Sequence, residues 1–148
     1  MRIAQSIQFY LNAAGIRAEL VQREAAAMRA AARKGEADLV IKDWYADYPD
    51  AENFLYPLLH SDNHPGGANV SFYSNSAFDS VVDNARKEPD DARRFELYRQ
   101  ADEMSFRDAP ILYLFFYNEL YAVQPWIKGF EVPTIFNGQQ WKDVLISP

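Results

Sequence analysis

Residues 38–50 decide the fold, and they read DLVIKDWYADYPD. The run Leu39-Val40-Ile41 is short, continuous and apolar, which is typical of a strand buried on both faces of a parallel sheet. Three aromatic residues and three carboxylates follow it within nine residues. Ligands of open α/β proteins bind just outside the carboxyl ends of such strands. The sequence therefore places a candidate binding loop directly after a predicted strand.

The residues before this strand predict the rest of a βαβ unit. Apolar side chains recur at helical spacing over residues 3–14, and Gly15 follows at a position where helices stop. Residues 16–21 alternate apolar and polar side chains, which indicates a strand. An alanine-rich helix is predicted over residues 25–34, with Gly35 as its stop. The order helix, strand, helix, strand predicts an α/β fold with a right-handed, parallel βαβ core.

Additional helices are predicted after the loop. Asp50 is placed to cap a helix that runs through Leu58. Asn75 or Ser76 opens the next helix, and a turn at residues 89–91 leads into a longer one. The residues predicted to face inward on the last two helices are Phe78, Val81, Val82, Ala85, Phe95, Leu97, Tyr98, Ala101 and Met104.

The C-terminal part of the chain predicts extended structure. Residues 111–117 form the longest apolar run and predict a strand, with residues 119–123 as its partner. This run is far too short to span a bilayer. From Pro125 onward the pattern is irregular. We read residues 1–148 as a single domain.

Composition and charge exclude several classes of function. The chain has 148 residues, a formal net charge of −6 and no cysteine. A nucleic-acid-binding protein needs an excess of basic residues to displace counterions from phosphates, and this chain lacks that excess. Without cysteine, disulfides, thiolate metal sites and cysteine nucleophiles are excluded. No secretory signal is recognised at residues 1–6.

The loop that follows the predicted strand is the densest candidate site. A carboxylate such as Asp47, held between aromatic walls, is a good receptor for an ammonium group, because the rings add cation–π attraction to the charge pair. An alternative is that Asp47 caps a turn and the aromatic side chains fill the core. A second alternative is enzymatic, with Asp43, Asp47, Asp50 and Glu52 supplying the paired carboxylates of a glycoside hydrolase.

Other chemistries have weaker support. His60 and His64 lie in a loop without helical phase, and we interpret them as solvated loop histidines and not as metal ligands. The serine-rich stretch 71–76 lacks the G-x-S-x-G elbow of a serine nucleophile. Gly66-Gly67 lacks the pattern and the lysine of a phosphate-binding loop. The sequence thus predicts no catalytic residue, no metal site and no cofactor.

The stretch from Asp38 to Leu55 resembles a motif of the peptide/nickel family of extracellular solute-binding proteins. Members of this family include the oligopeptide- and dipeptide-binding proteins of ABC importers. The resemblance continues in the same order over nearly the whole chain. It is carried by Asn69, Phe72-Tyr73-Ser74-Asn75, Phe78-Asp79, residues 93–101 with Leu97-Tyr98, and Asp108-Ala109-Pro110-Ile111.

The resemblance implies a fold and a function. Family members have two lobes that close around a ligand, and residues 1–148 resemble a segment of the second lobe, with the first lobe and the signal peptide outside this chain. The implied function is non-catalytic capture of di- or oligopeptides for an ABC permease in the membrane. The implied location is the periplasm or the cell surface. Some members of the family bind nickel chelates, haem or sugars instead, so these ligands stay open.

Individual residues can be matched to the family at the loop. The resemblance implies that Asp47 pairs with the α-ammonium group of the peptide. The ring of Trp44 and the backbone of Tyr45 would flank the first residues of the ligand. Asn69 would lie at the rim of the cleft.

Overall fold

The computed structural model of the protein describes residues 2–133, 135, 138 and 140–147. They fall into two units, Met1–Asp43 and Trp44–Pro148. The helices and strands are α1 (Arg2–Ala13) and α2 (Ala25–Arg33) in the first unit, and α3 (Glu52–Leu59), a 3₁₀ turn (Ser61–Asn63), α4 (Ser76–Lys87), α5 (Asp91–Asp108), β1 (Ile127–Lys128) and β2 (Leu145–Ile146) in the second. No helix among the described residues is long and apolar enough to cross a membrane.

Both helices of the first unit confirm the sequence prediction, including their ends. Gly15 and Gly35 follow the helices with φ values of 83° and 70°. This left-handed conformation carries a steric penalty for residues with a Cβ atom, which explains glycine at both stops. At the start of α2, the Glu24 carboxylate accepts hydrogen bonds from the backbone N–H groups of Ala26 and Ala27.

The strands predicted in the first unit are wrong for the described chain. Residues 16–21 and 38–41 take part in no strand pairing, and the two-stranded sheet of the structure lies elsewhere. Leu39 is 71% exposed, although its apolar run suggests burial. A strand needs a neighbouring strand to bond its N–H and C=O groups, and the described residues provide none at these positions. The parallel βαβ core is therefore not formed within the described residues.

The core of the second unit lies between α3, α4 and α5. Its buried members are Leu55, Leu59, Phe78, Val82, Ala85, Tyr98 and Ala101. Most of the residues predicted to face inward on α4 and α5 are therefore confirmed as part of the core or packed against it. The prediction that Phe95 faces inward is wrong, because its side chain is 71% exposed. The buried stripe of α5 runs through Tyr98, Ala101 and Ser105, and Arg94 lies over the Tyr98 ring one turn earlier.

Polar side chains fix the ends of α4 and α5. Asn75 caps α4 by accepting from the N–H groups of Ala77 and Phe78, as the sequence predicts. Asp108, at the end of α5, accepts hydrogen bonds from the Tyr73 hydroxyl at 2.6 Å and the Asn75 amide at 2.9 Å. Burial and this bond to Asp108 raise the pKa of Tyr73 to about 12. These bonds tie the start of α4 to the end of α5.

The strands predicted at 111–117 and 119–123 are also wrong for the described chain. Both segments lack strand pairing, and Phe116 and Leu120 are 99% and 95% exposed. The observed antiparallel pair, Ile127↔Ile146 and Lys128↔Leu145, lies in the part predicted to be irregular. As in the first unit, an apolar pattern specifies a strand face but not the partner that completes the ladder.

Candidate functional site

Asn53, in the first turn of α3, holds the loop that precedes this helix. The indole Nε1 of Trp44 donates a hydrogen bond of 2.7 Å to the Asn53 backbone carbonyl. The backbone N–H of Asp47 donates a bond of 2.9 Å to Asn53 Oδ1. Asn53 itself is 5% exposed. One buried residue therefore fixes two points of the loop formed by residues 44–50, which we call the Trp44 loop.

Two carboxylates that follow Asp47 in the sequence form ion pairs with arginine side chains. Asp50 Oδ2 accepts a hydrogen bond from the Arg94 guanidinium of α5. Glu52 Oε1 lies 3.1 Å from Arg86 Nε of α4. Asp50 Oδ1 also accepts a hydrogen bond of 2.8 Å from the N–H of Glu52. Asp50 therefore stabilises the start of α3, although the N-cap residue of this helix is Ala51 and not Asp50 as predicted. These carboxylates anchor the loop to both neighbouring helices.

The pKa of Asp50 is lowered from its ordinary value. Partial burial acts to raise this pKa, but the hydrogen bond from Arg94, the bond from the Glu52 N–H and the charge of Arg94 together outweigh burial. A carboxyl with a lowered pKa is ionised at neutral pH and is a poor general acid.

We expect Asp50→Asn to lower stability in a pH-dependent way. The ionised form of Asp50 stabilises the fold above its unfolded-state pKa of about 4, and this contribution is lost as pH falls through the lower folded-state pKa. The variant should lose about 1 kcal/mol at neutral pH and match the parent in strong acid. Urea unfolding across this pH range measures the difference. Asp102→Asn, an exposed change on α5, is the control; a difference that is constant with pH would contradict the assignment.

Asp47 differs from Asp50 and Glu52. Its side chain is exposed, and within the described residues no hydrogen bond or ion pair engages its carboxylate. Its backbone is nevertheless held by Asn53. A fixed backbone with a free carboxylate is suited to binding an external cation.

Aromatic rings stand on both sides of this acid in the sequence. The Tyr45 ring stacks on Tyr117 with centroids 6.4 Å apart and an interplanar angle of 8°. Phe115 meets Tyr117 edge to face at 5.0 Å. Tyr45, Tyr117 and Phe115 are 39%, 58% and 52% exposed. The sequence pointed to Tyr45, but the predicted strand at 111–117 gave no sign that Tyr117 would reach it.

Asn69 has a different environment. It is 2% exposed, and its amide nitrogen donates to the carbonyls of Leu59, His60 and Tyr73 at 3.2, 3.1 and 2.9 Å. Its Oδ1 accepts from the Ser71 hydroxyl at 3.0 Å. These bonds hold the segment between α3 and α4 together. A role of Asn69 at the rim of the cleft stays a prediction.

His60 is buried, which corrects the prediction of a solvated loop histidine. It is 3% exposed, because it directly follows Leu59 of the core and its ring lies 4.7 Å from that of Tyr56. His60 Nδ1 accepts from the Asp62 N–H, and Nε2 lies 3.6 Å from Asp83 Oδ1. In the described parts of the chain, no group of three or more potential ligands could hold a metal ion.

Sequence comparisons match the chain to a known class of protein. Residues 1–66, which include the Trp44 loop, match the family described as bacterial extracellular solute-binding proteins, family 5 Middle. The chain is 35% identical over 128 residues to the probable D,D-dipeptide-binding periplasmic protein DdpA of Escherichia coli, covering 86% of this chain and 25% of DdpA. It is 31% identical over 129 residues to heme-binding protein A of Haemophilus influenzae, covering 87% of this chain and 23% of that relative.

Solved structures give the same class. HbpA2 from Haemophilus parasuis superimposes with a TM-score of 0.78 at 26% identity, covering 99% of this chain and 29% of HbpA2. The periplasmic binding protein DppA from Helicobacter pylori, solved with the peptide STSA, gives a TM-score of 0.69 at 32% identity and covers 74% of this chain and 22% of DppA. The expected fold class, part of a lobe of a two-lobed periplasmic binding protein, is thereby confirmed.

The chain belongs to the peptide/nickel family of bacterial extracellular solute-binding proteins. It spans about a quarter or less of the length of the curated relatives it matches. Its relatives are periplasmic binding proteins, among them proteins named for dipeptides, oligopeptides and heme.

Proposed function

We propose that this chain is a segment of the second lobe of the substrate-binding component of an ABC importer, and that its Trp44 loop binds the amino end of a peptide. The observation that carries the proposal is the free, exposed carboxylate of Asp47 on a backbone anchored by Asn53. A carboxylate and an ammonium group form a charge-assisted hydrogen bond, which is stronger where water is excluded. Aromatic rings nearby add cation–π attraction.

In this proposal the carboxylates in and next to the loop have different roles. Asp50 and Glu52 are bound to arginines and hold the loop in place, so Asp47 is left to meet the ligand. The ring of Trp44 and the backbone of Tyr45 flank the first residues of the peptide, and Asn69 shapes the rim of the cleft. The first lobe of the receptor closes over the ligand and excludes water, as in hinge-closing receptors.

The proposed partners and location follow from the family. The names of the relatives include dipeptide- and oligopeptide-binding proteins, and DppA of Helicobacter pylori is described as ABC-transporter-associated. We propose a permease partner in the membrane and a site of action in the periplasm or at the cell surface. The function is capture without catalysis, and no cofactor takes part in it.

A different ligand within the same family is the second candidate. It is favoured by the 31% identity to heme-binding protein A. A nickel chelate or a sugar belongs to the same group of alternatives. The glycoside hydrolase is less well supported, because Asp50 and Glu52 are held by arginines and the lowered pKa of Asp50 is unsuited to a general acid.

Native mass spectrometry of the complete gene product that carries these residues tests the proposed ligand. The protein is purified without denaturation, and the masses that remain bound are measured before and after release. We expect a ladder of small peptide masses. A single haem, metal chelate or sugar mass would replace the ligand class, and a protein that carries nothing and binds no added peptide would contradict the receptor function.

A further inference from the structure

The side chain of Asn53 is a polar group in a buried position. It lies on α3 between the core residues and the Trp44 loop and is 5% exposed. Burying an amide has a cost unless its groups are hydrogen-bonded. Asn53 Oδ1 meets that requirement with the N–H of Asp47, at 2.9 Å.

The start of α3 does not need this side chain. The first N–H groups of the helix are served by other acceptors, since Asp50 Oδ1 accepts from Glu52, the Asp50 carbonyl from Asn53, and the Ala51 carbonyl from Phe54. An asparagine whose role was to cap the helix would accept from these groups. The Asn53 amide oxygen instead reaches back to Asp47, and its own carbonyl accepts from Trp44.

We propose that Asn53 is a positioning residue that aims the Asp47 carboxylate at the ammonium group of the ligand. This inference rests on the proposed function. Asp47 has no side-chain partner among the described residues, so the bond from its N–H to Asn53 acts on the backbone from which the carboxylate projects. A carboxylate whose backbone is already fixed has only its side-chain torsions left to order when the ligand arrives, so binding costs less conformational freedom.

Selectivity for a free amino group tests this role in the complete gene product. Calorimetry gives the affinities for trialanine and for N-acetyltrialanine, which lacks the ammonium charge, and their ratio measures ammonium recognition. Asn53→Ala should weaken trialanine binding by about ten- to a hundred-fold and bring the ratio close to one. Asn53→Gln keeps an uncharged amide acceptor and should restore part of the ratio.

Two controls separate positioning from stability. Asn75→Ala removes the cap of α4, so it should lower stability without changing the ratio. The amide hydrogen of Asp47, followed by NMR without ligand, should exchange faster in Asn53→Ala than in the parent, and Asn53→Gln should slow the exchange again. This readout would not move if Asn53 only filled space.

The outcomes distinguish this inference from the proposed function. A ratio lost in Asp47→Asn and also in Asn53→Ala supports both. A ratio lost in Asp47→Asn but kept in Asn53→Ala overturns the positioning role alone. A wild-type protein that does not distinguish the two peptides overturns the proposed role of Asp47 and this inference with it.

Discussion

Replacing Asp47 by alanine is expected to abolish recognition of the peptide amino group while leaving the fold intact. Removing one partner of a buried, hydrogen-bonded charge pair costs about 2–5 kcal/mol, which corresponds to a loss of affinity of roughly thirty-fold to several thousand-fold. Stability should change by no more than about 0.5 kcal/mol, because the carboxylate is exposed and has no partner among the described residues. Titration with trialanine measures the affinity, and urea unfolding followed by circular dichroism measures the stability.

Isosteric variants make this result specific to the charge. Asp47→Asn retains the size and the backbone bond to Asn53, yet it should lose nearly as much affinity as alanine. Asp102→Asn makes the same chemical change at an exposed position of α5 and should bind as the parent does. Unchanged trialanine affinity in Asp47→Asn would remove Asp47 from the ligand site.

The largest loss of stability is expected for Phe78→Ala. Phe78 is fully buried between the helices of the second unit, and its ring meets Tyr73 edge to face at 5.3 Å. Truncating a buried phenylalanine removes its transfer free energy and leaves a cavity, at a combined cost of about 3–5 kcal/mol. Urea unfolding of the complete gene product measures the change.

Phe106→Ala is the matched control for this prediction. Phe106 lies on α5 and is 77% exposed, so its truncation should change stability by no more than about 0.5 kcal/mol. Equal effects of the two substitutions would mean that Phe78 is not at the centre of a core. A small effect of Phe78→Ala alone would contradict the packing of α4 against α5.

The helices of this chain could be predicted because their determinants are local. The apolar period of α1, the glycine stops at Gly15 and Gly35, and the Asn75 cap all act within a few residues. The strands could not be predicted in the same way. Residues 38–41 carry the apolar pattern of a buried strand, but pairing depends on segments distant in the sequence, and the described residues supply no partner.

The same distinction between local and long-range determinants applies to the candidate site. The motif around Asp47 and Trp44 is contiguous, so the sequence alone suffices to propose it as a candidate site. The bond of Asp50 to Arg94 joins residues 44 positions apart, and no local sequence pattern predicts it. The burial of His60 was missed because its polar, glycine-rich surroundings indicate solvent, whereas its place beside Leu59 decides the outcome.

Recognition of a free amino group by the Trp44 loop is tested most directly by titrating the wild-type complete gene product with trialanine and N-acetyltrialanine under identical conditions. We predict that trialanine binds and that acetylation weakens binding by roughly thirty-fold or more, because it removes the charge that pairs with Asp47. Equal affinity for the two peptides, or binding of neither, would contradict a receptor in which Asp47 holds the amino end of a peptide.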